Sequence, residues 1–294
     1  MRRRAFLIPI AAVVAVGALG AGAFAWAATQ DGPVPPPAAP AAPVPTPAPT
    51  PTLAPFPKEP LTSTTRYVAL GDSFAAGMGA GGEQGSCRTS DASYPDRFAE
   101  LSGVNLIVNA ACSGATTSDL LNRQLIALDD RTDLVTVSVG GNDLGVADVA
   151  GACAAGKAVA CRNELSSALS LLNVLPQRLD DVYAAIAHEA PNARIVVTGY
   201  ASLYDTSDPS AADFGMATAI DAATVGLNEV IKEEVDKERA AGIPMTFLPV
   251  DFAGHGIGSA KPWINTSGAS AFHPTAAGYR EYARALVRLL GTAR

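Results

Sequence analysis

A chain of 294 residues, 48% of them hydrophobic, is long enough to bury a sizeable core in one large domain or two small ones. Its formal net charge of −7, with no long run of like charge, argues against nucleic acid or an anionic membrane as an electrostatic partner, because both attract clustered Lys and Arg.

The first 28 residues read as a targeting segment. Arg2, Arg3 and Arg4 make a basic start, an uncharged stretch runs from Ala5 to Ala28, and Ala23-Phe24-Ala25 or Ala25-Trp26-Ala27 offers an A-x-A cleavage site. The same stretch is long enough to cross a hydrocarbon core of roughly 30 Å, so a retained membrane anchor stands beside a cleaved signal peptide. Arg3 to Leu7 also resembles a twin-arginine motif, although an ordinary basic start accounts for it. Either way the rest of the chain is expected outside the cytoplasm, with possible membrane or cell-wall association through this segment. Residues 29–61 are dominated by Pro, Ala and Thr, a composition that cannot bury a core. It extends as polyproline II, at roughly 3.1 Å per residue, and serves as a spacer.

The folded domain is expected over residues 62–294. Five short apolar runs, Tyr67–Leu70, Asn105–Asn109, Leu134–Val139, Arg194–Gly199 and Met245–Val250, have the length of strands, and three are rich in β-branched residues. Helical patterns separate them at Tyr94–Leu101, Thr117–Leu128, Glu164–Ala190 and Asp213–Ala241, and a last helix spans Thr275–Leu290. Strands alternating with helices predict a single three-layer, doubly wound α/β domain around a five-stranded parallel sheet.

In such a sheet ligands bind outside the carboxyl ends of the strands, so the residues after each strand are the informative ones. Gly71-Asp72-Ser73 follows the first run, and "AACSGATT", with Ser113 and Gly114, follows the second. Gly140-Gly141-Asn142-Asp143 follows the third. A long loop after the fifth holds His255 and leads to "AFHPTAAGY", with His273 ahead of the final helix. Each piece alone has a structural reading: a turn, a turn glycine, an Asx cap, a half-buried histidine. Together they place a hydroxyl, a base and amide donors on one rim, the parts that acyl transfer requires. His255, Tyr200, Tyr204 and Trp263 could line a groove or simply pack. "GMGAGGEQG" lacks the Gly-Lys-Ser/Thr ending of a phosphate loop.

Gly71-Asp72-Ser73, Gly114, the "GGND" of residues 140–143 and His273 in "FHP" resemble the ordered blocks of the SGNH (GDSL) hydrolase superfamily, from about Tyr67 to the C-terminus. The resemblance implies a secreted or surface-anchored serine esterase or lipase, with Ser73 as nucleophile and His273 as base. The backbone N–H groups of Ser73 and Gly114 and the Asn142 amide would form the oxyanion hole. The elbow G-x-S-x-G of the α/β-hydrolase fold is absent from the sequence.

The family usually carries an aspartate three residues before the histidine, and here that position is Ser270. Resemblance to secreted actinobacterial members that manage with a main-chain carbonyl there implies that a carbonyl at or near Ser270 accepts the His273 Nδ1–H, with Asp251 and Asp143 as distant alternatives. With no carboxylate beside it, His273 is expected to titrate near roughly 6.5.

Cys87, Cys112, Cys153 and Cys161 allow three connectivities, and export favours disulfides. Resemblance to secreted actinobacterial lipases implies Cys87–Cys112 and Cys153–Cys161. The third bridge of those enzymes is not expected, because Gly258 stands where its cysteine would be. The intervals show no CxxC, so neither metal nor other cofactor is expected. The partner expected is an acyl-ester substrate, met by a monomer. Two alternatives stay open: a polysaccharide O-deacetylase of the same fold, and an inactive wall-binding module.

Overall fold

The computed structural model describes residues 56–293 apart from 58 and 155, all within one compact unit. The targeting segment and most of the spacer lie outside the described residues. Packing begins before Thr62: Leu61 is fully buried, and Phe56 rests against the same core.

Five strands form one parallel sheet in the order β2-β1-β3-β4-β5: β1 (Arg66–Gly71), β2 (Asn105–Asn109), β3 (Leu134–Ser138), β4 (Arg194–Thr198) and β5 (Met245–Leu248). β1, β3 and β4 are buried almost throughout, as their continuous apolar runs require when helices cover both faces. β2 is exposed or half-buried along its whole length, as an edge strand can be.

Helices α2 (Tyr94–Ser102) and α8 (Ala276–Leu290) pack on one another as one layer. On the other side α6 (Leu175–Glu189) packs on α3 (Thr117–Arg123) and α7 (Phe214–Ala240). Tyr67, Tyr94, Tyr183, Tyr279 and Tyr282 are fully buried among the aliphatic core. The remaining helices are a single turn after β1, α1 (Ser73–Ala76), and a pair after β3, α4 (Val146–Ala154) and α5 (Ala158–Leu171). Among the described residues no helix is long and apolar enough to cross a membrane.

Two helical expectations change in detail. The pattern over Glu164–Ala190 is interrupted at Leu172–Val174, with Pro176 in the first turn of α6. Proline supplies no N–H for the Leu172 carbonyl and clashes with it, so one helix becomes two. α3 stops at Arg123 and continues as a 3₁₀ turn over Leu125–Ala127.

Candidate active site

β1 delivers its last residue, Gly71, into a turn that only glycine can make. Its φ is +134°, and a Cβ there would lie 2.2 Å from the Ser138 carbonyl oxygen. Gln124 clamps this peptide from both sides: its Oε1 accepts from Gly71 N–H at 2.7 Å, and its Nε2 donates to the Gly71 carbonyl at 2.8 Å. Asp72 then caps α1, its Oδ1 accepting the Phe74 N–H at 2.9 Å. Ser73 opens the turn of helix.

The Ser73 Oγ lies 2.8 Å from His273 Nε2, although 200 residues separate them in sequence. His273 Nδ1 lies 3.0 Å from the carbonyl oxygen of Ala271. The orienting carbonyl is therefore that of Ala271 and not that of Ser270, which instead accepts the His273 backbone N–H at 3.1 Å. The shift follows from the backbone at Phe272, whose φ of +66° is left-handed and turns the Ala271 peptide toward the ring. Neither distant aspartate serves this role. Asp143 accepts from Thr117 N–H and Oγ1, at 2.9 and 2.6 Å, and pairs with Arg178. Asp251 accepts from Ala253 N–H in an exposed loop.

Burial pulls the His273 pKa below 6.5, against a smaller upward effect of the Ala271 carbonyl. The expectation of a value near 6.5 accordingly gives way to a lower one. The neutral imidazole, which a general base needs, persists to lower pH.

Ser73, Asn142, Tyr200, Phe272 and His273 line one pocket. Asn142 donates one amide hydrogen to the Ala115 carbonyl at 3.0 Å, which ties the strand-3 loop to the strand-2 loop and leaves its second hydrogen for the pocket. Gly114 sits beside that anchor with φ +86°. Among the described residues no hydrogen bond takes the backbone N–H of Ser73 or of Gly114. The Gly114 loop is held to β1 by Cys112 N–H donating to the Gly71 carbonyl at 3.0 Å, and to the loop between α1 and α2 by the Cys87–Cys112 disulfide. The second disulfide, Cys153–Cys161, joins α4 to α5.

A tyrosine completes the support. Tyr200 donates its hydroxyl to Asp72 Oδ2 at 2.5 Å and accepts the Gly141 N–H at 3.2 Å, linking the serine turn to the Asn142 loop. Burial raises the Asp72 carboxyl to about 6 despite that hydrogen bond. The sequence signalled Tyr200 only as a post-strand residue, and nothing in it signalled Gln124. His255 stacks on Trp263 at 3.6 Å, a packing role.

A parallel sheet with this Ser–His pair at its carboxyl rim has the architecture of an ester hydrolase. The sequence pattern of the GDSL-like Lipase/Acylhydrolase family matches residues 69–281. Lipase 1 of Streptomyces coelicolor is 37% identical over 226 residues, covering 72% of this chain and 81% of that protein. The crystal structure of an extracellular lipase from Streptomyces rimosus superimposes with a TM-score of 0.69 at 37% identity, covering 76% of this chain and 99% of that one. A phospholipase A1 from Streptomyces albidoflavus gives 0.68 at 36% identity, covering 76% and 99%. The chain belongs to the GDSL-like lipase/acylhydrolase family and is an ester hydrolase of the lipase/esterase type. These matches favour neither the O-deacetylase nor the inactive wall-binding module.

Proposed function

We propose that the chain hydrolyses lipid or short-chain carboxylic esters through an acyl-enzyme on Ser73, outside the cytoplasm. The observation that carries this is the 2.8 Å contact between Ser73 Oγ and His273 Nε2. His273 takes the hydroxyl proton as Oγ bonds to the ester carbonyl carbon. The negative charge that develops on the carbonyl oxygen faces the N–H groups of Ser73 and Gly114 and the second amide hydrogen of Asn142. As the tetrahedral intermediate collapses, the C–O bond to the alcohol breaks and Nε2–H returns its proton to the leaving oxygen. Water then repeats the sequence on the acyl-serine and releases the carboxylic acid. The Ala271 carbonyl holds the ring in the tautomer with hydrogen on Nδ1, leaving Nε2 free to accept. A neutral dipole stabilises imidazolium less than a carboxylate does, and the dyad works without a third ionised member.

The extracellular setting rests on the basic start and uncharged stretch of residues 1–28, supported by the two disulfides. The names of the relatives, lipases and a phospholipase A1, support lipid esters as substrates.

The test is turnover of p-nitrophenyl butyrate, and labelling by a fluorophosphonate, in the exported protein and in Ser73→Ala. The expected result is stoichiometric labelling of Ser73, with EDTA without effect, and loss of nearly all turnover in a variant that remains folded. Comparable turnover in folded Ser73→Ala would eliminate the serine mechanism.

A further inference from the structure

His273 belongs to the long connection from β5 to α8, residues 249–275, where neither the sheet nor a long helix holds the main chain. Asn265 holds it instead. Its N–H donates to the His273 carbonyl and its own carbonyl accepts the Phe272 N–H, both at 2.8 Å, and residues 263–265 run antiparallel to residues 272–275. This pairing brackets Phe272, whose left-handed φ of +66° turns the Ala271 carbonyl toward the imidazole. A strained residue keeps such a conformation only where its surroundings fix it.

The side chain of Asn265 extends the same grip to the nucleophile. Its Nδ2 lies 3.0 Å from the His273 carbonyl oxygen, 3.2 Å from that of Pro274 and 3.1 Å from that of Gly79. All three are acceptors, so the amide nitrogen and not the amide oxygen faces them. Gly79 ends the loop that leaves Ser73, in which the Gly77 and Met78 N–H groups both donate to the Ser73 carbonyl, at 3.1 and 3.0 Å. A Cβ on Gly79 would stand 2.5 Å from Asn265 Nδ2, so the contact requires glycine. Tyr279, on α8, also reaches the Met78 and Ser73 carbonyls, at 2.7 and 3.3 Å, but holds none of residues 271–275. Among the described residues, no other side chain outside the Ser73–His273 pair is hydrogen-bonded both to residues 271–275 and to residues 73–79.

We propose that Asn265 is a positioning residue for catalysis: it locks the His273 peptide to the loop that follows Ser73 and thereby sets the approach of Nε2 to Oγ. This rests on the serine-esterase reading of the same pair. In a Ser-His-Asp triad an ionised third member orients the imidazole directly. Here the orienting group is the carbonyl of Ala271, part of the same short segment, so the ring is only as well placed as the main chain that carries it. Asn265 does not line the catalytic pocket, and it acts through the two residues that do.

The experiment measures kcat and KM for p-nitrophenyl butyrate at pH 8, and the rate of Ser73 labelling by a fluorophosphonate. The proteins are wild type, Asn265→Ala and Asn265→Asp, each held well below its melting temperature. Misplacing reacting groups by about 1 Å costs on the order of 10²-fold, and the main-chain bonds of Asn265 survive its substitution. Asn265→Ala should therefore lower kcat by about 10- to 100-fold, with KM within about threefold of wild type and labelling slowed in step. Asp matches Asn in size, but when ionised it offers no hydrogen and turns a carboxylate toward three carbonyl oxygens. Asn265→Asp should accordingly lose at least as much kcat as Asn265→Ala. A packing role ranks the two the other way, with Asn265→Asp close to wild type, and that ranking would overturn the proposal. A kcat within about twofold of wild type in Asn265→Ala, or an effect confined to KM, would overturn it as well. Where only one variant folds, its kcat decides; if neither folds, Asn265 is purely structural and the proposal fails. Failure of the serine reading gives a different result, since turnover would then survive Ser73→Ala.

Discussion

Replacing Asp72 by Asn should change how stability depends on pH, by an amount the structure sets. The Asp72 carboxylate is buried, with one oxygen on the Phe74 N–H and the other on the Tyr200 hydroxyl. Burial is the larger effect and raises its pKa from 3.8 to about 6. The unfolded chain loses this proton near 3.8, whereas the folded protein keeps it until about 6. Stability is therefore highest below 3.8 and falls as pH rises through about 6. At about 1.4 kcal/mol per pH unit, the loss across that window is about 3 kcal/mol. Asn carries no charge and removes this dependence, and because its amide oxygen can still accept from Tyr200, any offset from exchanging one neutral acceptor for another does not vary with pH. Urea unfolding of both proteins from pH 4 to pH 8, with m-values checked for equality, separates the two effects. Relative to wild type, Asp72→Asn should gain on the order of 2–3 kcal/mol between the ends of that range. As a control, Tyr200→Phe removes the hydrogen bond that most lowers the Asp72 pKa and should move the wild-type window to higher pH. A stability difference constant with pH to within about 1 kcal/mol would show that Asp72 titrates normally, and the buried-charge reasoning would fail.

If Asn142 is the oxyanion donor proposed, Asn142→Ala should lower kcat by roughly 10²–10³-fold with little change in KM; an effect confined to KM would assign it to substrate positioning alone. Because the group orienting His273 is the Ala271 main-chain carbonyl, Ser270→Ala should keep kcat within about tenfold, whereas His273→Ala should abolish it. The acid limb of kcat/KM should have its midpoint below 6.5, since burial favours neutral imidazole; a midpoint above that value would contradict the geometry. Non-reducing peptide mapping of exported protein should find Cys87 with Cys112 and Cys153 with Cys161, and reduction should cost a few kcal/mol of stability because each bridge closes a short loop.

Features carried by neighbouring residues were determined by the sequence itself. Short runs rich in apolar and β-branched residues placed all five strands to within a residue or two, since the three central strands, buried almost throughout, admit few polar side chains beyond Thr136, Ser138 and Thr198. The parallel sheet then assigned Ser73, Gly114, Asn142 and His273 to one rim, because every strand of such a sheet ends on the same side. Only the tertiary structure decided what reaches across the chain. Gln124 clamps Gly71 from 53 residues away, and Tyr200 joins Asp72 to Gly141, yet neither contact leaves a local pattern. The choice of Ala271 over Ser270 turned on one left-handed residue, Phe272, a conformation that its identity would not suggest. The apolar cavity lined by α4, α5 and α7 likewise depends on how those helices converge, because whether they close on each other or leave a gap is set by packing between segments distant in sequence.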